Sequence, residues 1–269
     1  MFQYESRSVS FAHKVDFASF PKDEFYKHMH PFFEVIYLVE GSVEFHLETN
    51  TRHLLPGDVV LIQPGKFHFA VVDHDHRYER YVFKVPEDYL PPHLVKNLAK
   101  AEPFFPDCSS MLPVFQEFDR YAEQYEGDDL YALCAARMTE ILVLLSKHPG
   151  APTPSQEAPT IAQEIVAYVE EHISERMTLE TVAKALHYSP SYVATAFKAE
   201  MHVPLMQYVR SKKVHASLAL INHGTRPQEA AAQMGFADYS TFYRCYIKVL
   251  GKRPSEVKKD KLLTDSDED

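Results

Sequence analysis

The chain has 269 residues, of which 45% are hydrophobic, and its formal net charge is −10. This length is typical of about two domains, and the apolar content excludes a wholly disordered chain. The sequence contains no membrane-spanning apolar run, no signal-peptide core and no cysteine spacing typical of disulfides or zinc, so we expect a cytoplasmic protein.

Residues 31–85 are rich in short strand-like segments. In GSVEFHLET, the apolar residues Val43, Phe45 and Leu47 alternate with polar ones, which is typical of a half-buried strand. Other short β-branched and aromatic segments, separated by glycines, are FFEVIYLV, DVVLIQ, HFAVV and RYVFKV. Together they predict a small antiparallel barrel or jelly roll within residues 1–108.

Between residues 109 and 148 the apolar residues recur with a helical period. A first stripe, on one predicted helix, consists of Met111, Phe115, Phe118, Ala122 and Tyr125. A second stripe, after Gly127, consists of Leu130, Leu133, Cys134, Met138, Ile141, Leu142 and Leu145. The pattern predicts two antiparallel connector helices, which either pack against the barrel or form the interface of a homodimer.

Residues 149–159 contain four prolines among small polar residues and therefore predict a linker. The helical segment after it contains a repeat, because TLETVAKALHYSPSYVATAFKAEMHVP (178–204) resembles RPQEAAAQMGFADYSTFYRCYIKVLGKRP (226–254). Ala183 corresponds to Ala231 with an offset of 48, and Val193 to Phe242 with an offset of 49. Two copies of a helix-turn-helix unit explain this pattern, with the one-residue slip in the turn.

The distribution of charge permits a nucleic-acid partner for this second half. Residues 160–259 hold 13 Lys and Arg against nine Asp and Glu, whereas residues 1–159 and the tail 260–269 are acidic. Within the repeat, Thr178 and Ser189 are suited to cap helices, and Pro190 and Pro227 to a first helical turn.

The segment AAAQMGFADYSTFYRCYIKVLGKRPSEV (230–257) resembles the second helix-turn-helix motif of the AraC/XylS family of bacterial transcription regulators. VRSKKV (209–214) matches the start of the long helix that joins the two motifs in that family. The matching positions are Ala231, Gly235, Phe236, Asp238, Ser240, Phe242, Arg244, Tyr246, Gly251 and Pro254. The resemblance covers about residues 160–259 and implies a dimeric regulator that binds operator duplex DNA and contacts RNA polymerase.

The resemblance also assigns the second helix of each motif to the DNA major groove. The candidate DNA-binding residues are Ser191, Tyr192, Thr195 and Lys198 in the first motif, and Ser240, Thr241, Tyr243, Arg244 and Lys248 in the second. We expect base or groove contact from Arg244 and Thr241. The lysines, including Lys212 and Lys213, are expected to contact phosphates or to act as solubilising charge. His187 and His202 stand where the family often has glycine, which predicts strained turns.

Residues 28–41, HMHPFFEVIYLVEG, resemble the first cupin motif, and residues 57–68, GDVVLIQPGKFH, the second, with Gln63 in place of the usual proline. This likeness implies a cupin-like sensor barrel. His28, His30, Glu34 and His68 would either hold a divalent transition metal or hydrogen-bond an effector without metal. With Tyr37 and Tyr81 as aromatic neighbours, they form the candidate effector site, and a carbohydrate is the expected effector.

The expected fold is thus a two-domain β plus all-α protein. A cupin-like barrel (1–108) and connector helices (109–148) precede a linker (149–159), a double helix-turn-helix domain (160–259) and an acidic tail (260–269). The expected function is effector-controlled transcription regulation, without enzymatic activity and without a membrane partner. Two alternatives are a metal-dependent cupin enzyme fused to a helical interaction domain, and a DNA-bending protein with an empty barrel.

Overall fold

The computed structural model describes residues 2–6, 9–17, 28–72, 77–151 and 158–256. It contains two compact units, Met1–Ala158 and Pro159–Asp269. The first unit is rich in β-strands and the second is helical, which confirms the predicted fold class. Much of the predicted linker and all of the predicted acidic tail lie outside the described residues. The described helices are too short or too polar to cross a membrane.

The first unit contains two antiparallel sheets, one with the strand order β1-β2-β8-β3-β6-β9 and the other with the order β5-β4-β7. The five strand segments predicted from sequence correspond to β3, β4, β6, β7 and β8. The strands are β1 (Phe2–Ser6), β2 (Val9–Phe17), β3 (Phe32–Glu40), β4 (Val43–Leu47), β5 (Asn50–Leu54), β6 (Val59–Ile62), β7 (His68–Val72), β8 (Arg77–Pro86) and β9 (Phe104–Phe105).

Strand β3 is buried on both faces, which explains its continuous apolar sequence. Successive side chains of a strand point to opposite faces. Ile36 and Leu38 belong to a core between the two sheets. Val35 and Tyr37 belong to a second core, on the other face of the larger sheet.

Three α-helices follow β8, with β9 between the first and the second: α1 (Pro92–Leu98), α2 (Leu112–Gln124) and α3 (Gly127–Lys147). Phe115 and Phe118 of α2 are fully buried, and the Phe118 ring stacks on Phe11 of β2 at 3.9 Å between centroids. Most of the predicted α3 stripe is buried in the same core. Most residues of these stripes therefore pack in the core of the first unit, and a role of the connector helices in a homodimer stays a prediction.

The second unit contains two helix-turn-helix motifs joined by a long helix. Thr178, Ser189 and Asp238 each cap a helix through a side-chain oxygen, and Pro190 and Pro227 occupy first helical turns. The first motif is α5–α6 and the second is α8–α9. The helices are α4 (Ile161–Glu171), α5 (Leu179–Ala185), α6 (Pro190–Met201), α7 (Leu205–Asn222), α8 (Pro227–Gln233) and α9 (Tyr239–Leu250).

The backbone reproduces the repeat found in the sequence. His187 has φ 60° and its counterpart Gly235, 48 residues later, has φ 63°. His202 has φ 55° and its counterpart Gly251, 49 residues later, has φ 67°. The two histidines thus adopt the left-handed conformation that side chains disfavour, as the resemblance predicted.

Candidate functional site

Four side chains of the first unit converge on one point, namely His28, His30, Glu34 and His68. Each can offer one ligand atom, and these atoms lie within 4.8 Å of one another. Pro31 delays the start of β3 to Phe32, so His28 and His30 precede the strand. They reach the cluster because the backbones of His28 and His68 form a short antiparallel bridge, with N–O distances of 3.1 and 3.0 Å.

The protonation of two imidazoles follows from their contacts with the backbone. His30 Nδ1 donates to the carbonyl of Phe32 at 3.2 Å, and His68 Nδ1 donates to that of Lys66 at 2.9 Å. A carbonyl can only accept, so the proton of each neutral ring lies on Nδ1. Each Nε2 then presents a lone pair.

Both Nε2 atoms face the same carboxylate oxygen. His30 Nε2 lies 2.6 Å from Glu34 Oε2, and His68 Nε2 lies 3.2 Å from it. His68 Nε2 is buried and has no hydrogen-bond partner of good geometry among the described residues. With both rings neutral, three electron-pair donors meet in a buried space, where a shared proton or a metal ion would stabilise them.

The electrostatics of the cluster favour an ionised carboxyl group. Burial raises the pKa of Glu34, but the His30 and His68 imidazoles, which donate to this carboxylate when they are protonated, outweigh burial and hold the pKa well below the ordinary value. Burial lowers the pKa of His30 by more than Glu34 raises it, so His30 is neutral near pH 7. Lys84 Nζ lies 3.5 Å from Glu34 Oε1 and supplies a positive charge at the edge of the cluster.

Sequence reasoning missed Lys84, which shapes this site, and assigned no role to Gln63. Lys84 faces the cluster because it pairs with Glu34 across β3 and β8, and this pairing is not visible in the sequence. Gln63 replaces the usual cupin proline, and its amide donates to the carbonyl of Leu98, at the end of α1, at 3.0 Å. Gln63 therefore binds the C-terminal end of α1 rather than serving as a ligand.

The structure does not bring Tyr37 and Tyr81 to the cluster. Both lie on the opposite face of the larger sheet, because Tyr37 is three positions after Glu34, an odd offset, and because Tyr37 pairs with Tyr81. The Tyr37 ring packs on Phe115 at 4.7 Å between centroids, and the Tyr81 hydroxyl donates to Asp119 of α2 at 2.5 Å. The expectation of a carbohydrate effector rested partly on these two rings and loses that support.

The candidate DNA-binding residues lie on the outer faces of α6 and α9. Ser191, Tyr192, Thr195 and Lys198 are exposed, whereas Val193 and Phe197 fill the core beneath them. On α9, exposed positions are Ser240, Arg244 and Lys248, while Thr241 and Tyr243 are partly buried. The Thr241 hydroxyl donates to Asp238 at 2.9 Å and so takes part in capping α9.

Lys213 and Lys212 do not lie where phosphate contacts were expected. Lys213 is only 5% exposed, and its ammonium donates to the backbone carbonyls of Glu175 and Met234. Lys212 forms an ion pair with Glu170 of α4 at 3.0 Å. For Lys213 the prediction of a phosphate contact or solubilising charge is therefore wrong, because its side chain points into the interior.

Two family models match the chain. One, described as an AraC-like ligand binding domain, covers residues 13–129, and the other, described as a helix-turn-helix domain, covers residues 182–260.

Curated relatives include the uncharacterized HTH-type transcriptional regulator YisR of Bacillus subtilis, 22% identical over 84% of this chain and 85% of the relative. The regulatory protein SoxS of Escherichia coli K12 is 26% identical over 36% of this chain and 92% of its own. Among solved structures, ToxT of Vibrio cholerae bound to unsaturated fatty acid aligns with a TM-score of 0.41 and 14% identity, over 93% of this chain and 92% of that one.

These relatives are named as regulators, in agreement with the expectation that the chain is not an enzyme. The order of the two matched domains, sensor before helix-turn-helix, is also the predicted one. The chain belongs to the AraC family of DNA-binding transcription regulators, with an N-terminal ligand-binding domain and a C-terminal helix-turn-helix domain.

Proposed function

We propose that the regulator senses its effector at the cluster of His28, His30, Glu34 and His68, and that a divalent transition metal is part of this sensor site. The observation that carries the proposal is the meeting of two imidazole lone pairs at one buried carboxylate oxygen. A proton on one Nε2 would turn its contact with Glu34 Oε2 into a hydrogen bond. The lone pair of the other Nε2 would still face the same carboxylate oxygen. A metal ion would bind both lone pairs and the carboxylate oxygen, because neutral imidazole nitrogens and a carboxylate are its ordinary ligands.

The backbone contacts of the histidines support the same assignment. Metal-bound histidines usually donate their other ring N–H to a carbonyl or carboxylate, which fixes the ring orientation. His30 and His68 already do so through Phe32 and Lys66. We expect an anionic or oxygen-rich effector group beside this ion, because Lys84 adds a second cationic group to the site.

For DNA, we propose that α6 and α9 are the recognition helices and that Arg244 reads a base. Arg244 is exposed in the middle of α9, on the face opposite the buried Phe242 and Tyr246. Guanidinium groups make bidentate bonds to guanine in the major groove. Lys198 and Lys248 are exposed on the same helices, and we assign them to phosphates.

We expect Arg244→Ala to reduce the discrimination between an operator and a scrambled duplex by about 1–3 kcal/mol, as for the loss of one bidentate base contact. The operator is recovered by selection from a randomised duplex library with the full-length protein. Dissociation constants for both duplexes are then measured by fluorescence anisotropy at one fixed salt concentration, since salt alone changes them strongly.

Lys252→Ala is the matched control, because Lys252 is an exposed cation just beyond the end of α9. This variant should weaken binding to both duplexes by similar factors. An unchanged ratio of affinities in Arg244→Ala would assign Arg244 to the phosphate backbone or to the free surface instead.

We also propose that the regulator acts in the cytoplasm as a homodimer and contacts RNA polymerase. The inner stripe of α3 is buried in the core of the first unit, so an interface would use the outer face, where Val143 is 41% exposed and Leu144 is 45% exposed. Contiguous exposed apolar patches mark contact surfaces, and we infer that these two side chains belong to such a patch. Sedimentation of the full-length protein, with and without Leu144→Glu, tests this assignment.

A further inference from the structure

Helix α7 connects the two halves of the DNA-binding unit, and Lys213 lies in its middle. Before Lys213, Tyr208 packs on Phe197 of the first motif, at 5.3 Å between ring centroids. After Lys213, Val214 and Leu218 share a core with α8 and α9 of the second motif. Lys213 is thus the point at which the contacts of α7 change from one motif to the other.

The Lys213 ammonium bonds to both halves at once. Nζ donates to the carbonyl of Glu175, in the segment before α5, at 2.5 Å and to that of Met234, at the end of α8, at 2.6 Å. Burial lowers its pKa to about 8, which leaves it largely protonated at pH 7. Both bonds are therefore charge-assisted and stronger than neutral ones.

The backbones of the two halves also touch directly beside Lys213. A Cβ atom at Gly235 would lie 2.5 Å from the carbonyl oxygen of Ser174 and 2.6 Å from the carbonyl carbon of Glu175. Glycine is thus required at this position both by its φ of 63° and by the approach of the other half. The joint, defined as Ser174–Glu175, Lys213 and Met234–Gly235, is short and made largely of backbone.

We propose that Lys213 is a positioning residue that locks the two recognition helices in one relative orientation and thereby sets the operator spacing that the regulator accepts. This inference rests on the proposed use of α6 and α9 as recognition helices. Two linked binding modules gain affinity only when both can engage their sites simultaneously. With a rigid joint, this increase in affinity occurs at one operator spacing. With a loosened joint, it occurs at several spacings and is smaller at each.

The test uses the full-length protein and the selected operator, together with duplexes in which two base pairs are inserted or deleted between its two contacted blocks. Two base pairs rotate one block by about 70° around the DNA axis. We expect the wild type to bind the parent spacing about 100-fold more tightly than either altered spacing. In Lys213→Met this ratio should fall to about ten-fold or less, while Lys213→Arg keeps most of it.

Lys212→Met is the matched control, because it removes the neighbouring cation and its ion pair with Glu170 but leaves the joint intact. The ratio of its affinities for the parent and the altered spacings should equal that of the wild type. If Lys213→Met does not fold, as judged by thermal unfolding, Lys213→Gln takes its place and the same ratio decides.

If Lys213→Met bound duplexes of all spacings more weakly by the same factor, the inference would be overturned. Lys213 would then contribute only to the stability of the domain. A wild type that binds its operator without preference for spacing would also overturn it. A wild type that binds no duplex at all would instead contradict the proposed recognition helices.

Discussion

Gly235→Ala is expected to lower the free energy of unfolding of the helical unit by about 2–5 kcal/mol, which is a large part of the stability of a small domain. The left-handed backbone at φ 63° costs an alanine about 1–2 kcal/mol. The new methyl group would also lie 2.5 Å from the Ser174 carbonyl oxygen, and overpacking of this kind adds about 1–3 kcal/mol. Urea unfolding followed by circular dichroism measures the loss.

Gly251→Ala separates the two contributions. Gly251 has φ 67°, so the backbone cost is the same, but a methyl group there would meet no described atom within 4 Å. This variant should lose only about 1–2 kcal/mol. Equal losses in the two variants would show that the backbone contact at the joint does not form.

The second large effect concerns the cluster in the sensor domain. A metal that binds only the folded state at 100 to 1,000 times its dissociation constant stabilises that state by about 2.7–4.1 kcal/mol. We therefore expect chelation to lower, and added Zn²⁺ or Ni²⁺ to restore, the unfolding temperature of the full-length protein. The double variant His30→Ala, Glu34→Ala should be insensitive to both treatments and should have lost its metal by elemental analysis.

The control for this experiment is a second histidine–glutamate pair in the same domain. His46 Nε2 lies 2.7 Å from Glu44 Oε1 on the exposed side of β4, outside the cluster. His46→Ala, Glu44→Ala should retain the metal and the response to chelation. The metal assignment would be wrong if the parent protein lost no stability on chelation, and the cluster would then be a hydrogen-bonding site for the effector.

The sequence could predict this cluster because its residue types are distinctive and their spacing matched a known motif. Alternation along one strand would place positions 28, 30 and 34 on the same face, but the strand begins only after Pro31. The observed reason is the backbone bridge between His28 and His68, a long-range pairing that local periodicity does not encode. The prediction of convergence thus rested on resemblance more than on strand geometry.

The placement of Tyr37 could not be predicted from the sequence in the same way. FFEVIYLV contains no regular alternation, because helices cover the outer face of β3 and the second sheet covers its inner face. A strand buried on both faces has a nearly continuous apolar sequence, so the pattern does not reveal which side faces a pocket. Tyr81 lies on the same face as Tyr37, since the two residues pair across β3 and β8.

The two histidines at left-handed positions and Lys213 show how far a repeat can guide prediction. Comparison with the family placed His187 and His202 at positions that favour glycine, and the backbone agrees. Lys213 has no such signal, because a lysine in a helix is usually exposed and only the contact between the two halves buries it. Contacts between repeats depend on tertiary packing, which neither repeat encodes alone.

The most direct test of the account is the ratio of dissociation constants of the full-length regulator for its selected operator and for a scrambled duplex, measured at physiological salt. Specific regulators bind their sites at least about 10³-fold more tightly than other DNA. We predict a ratio of at least about this size, with affinity falling steeply as salt increases. A ratio near one, or affinity independent of salt, would contradict the assignment of α6 and α9 as recognition helices.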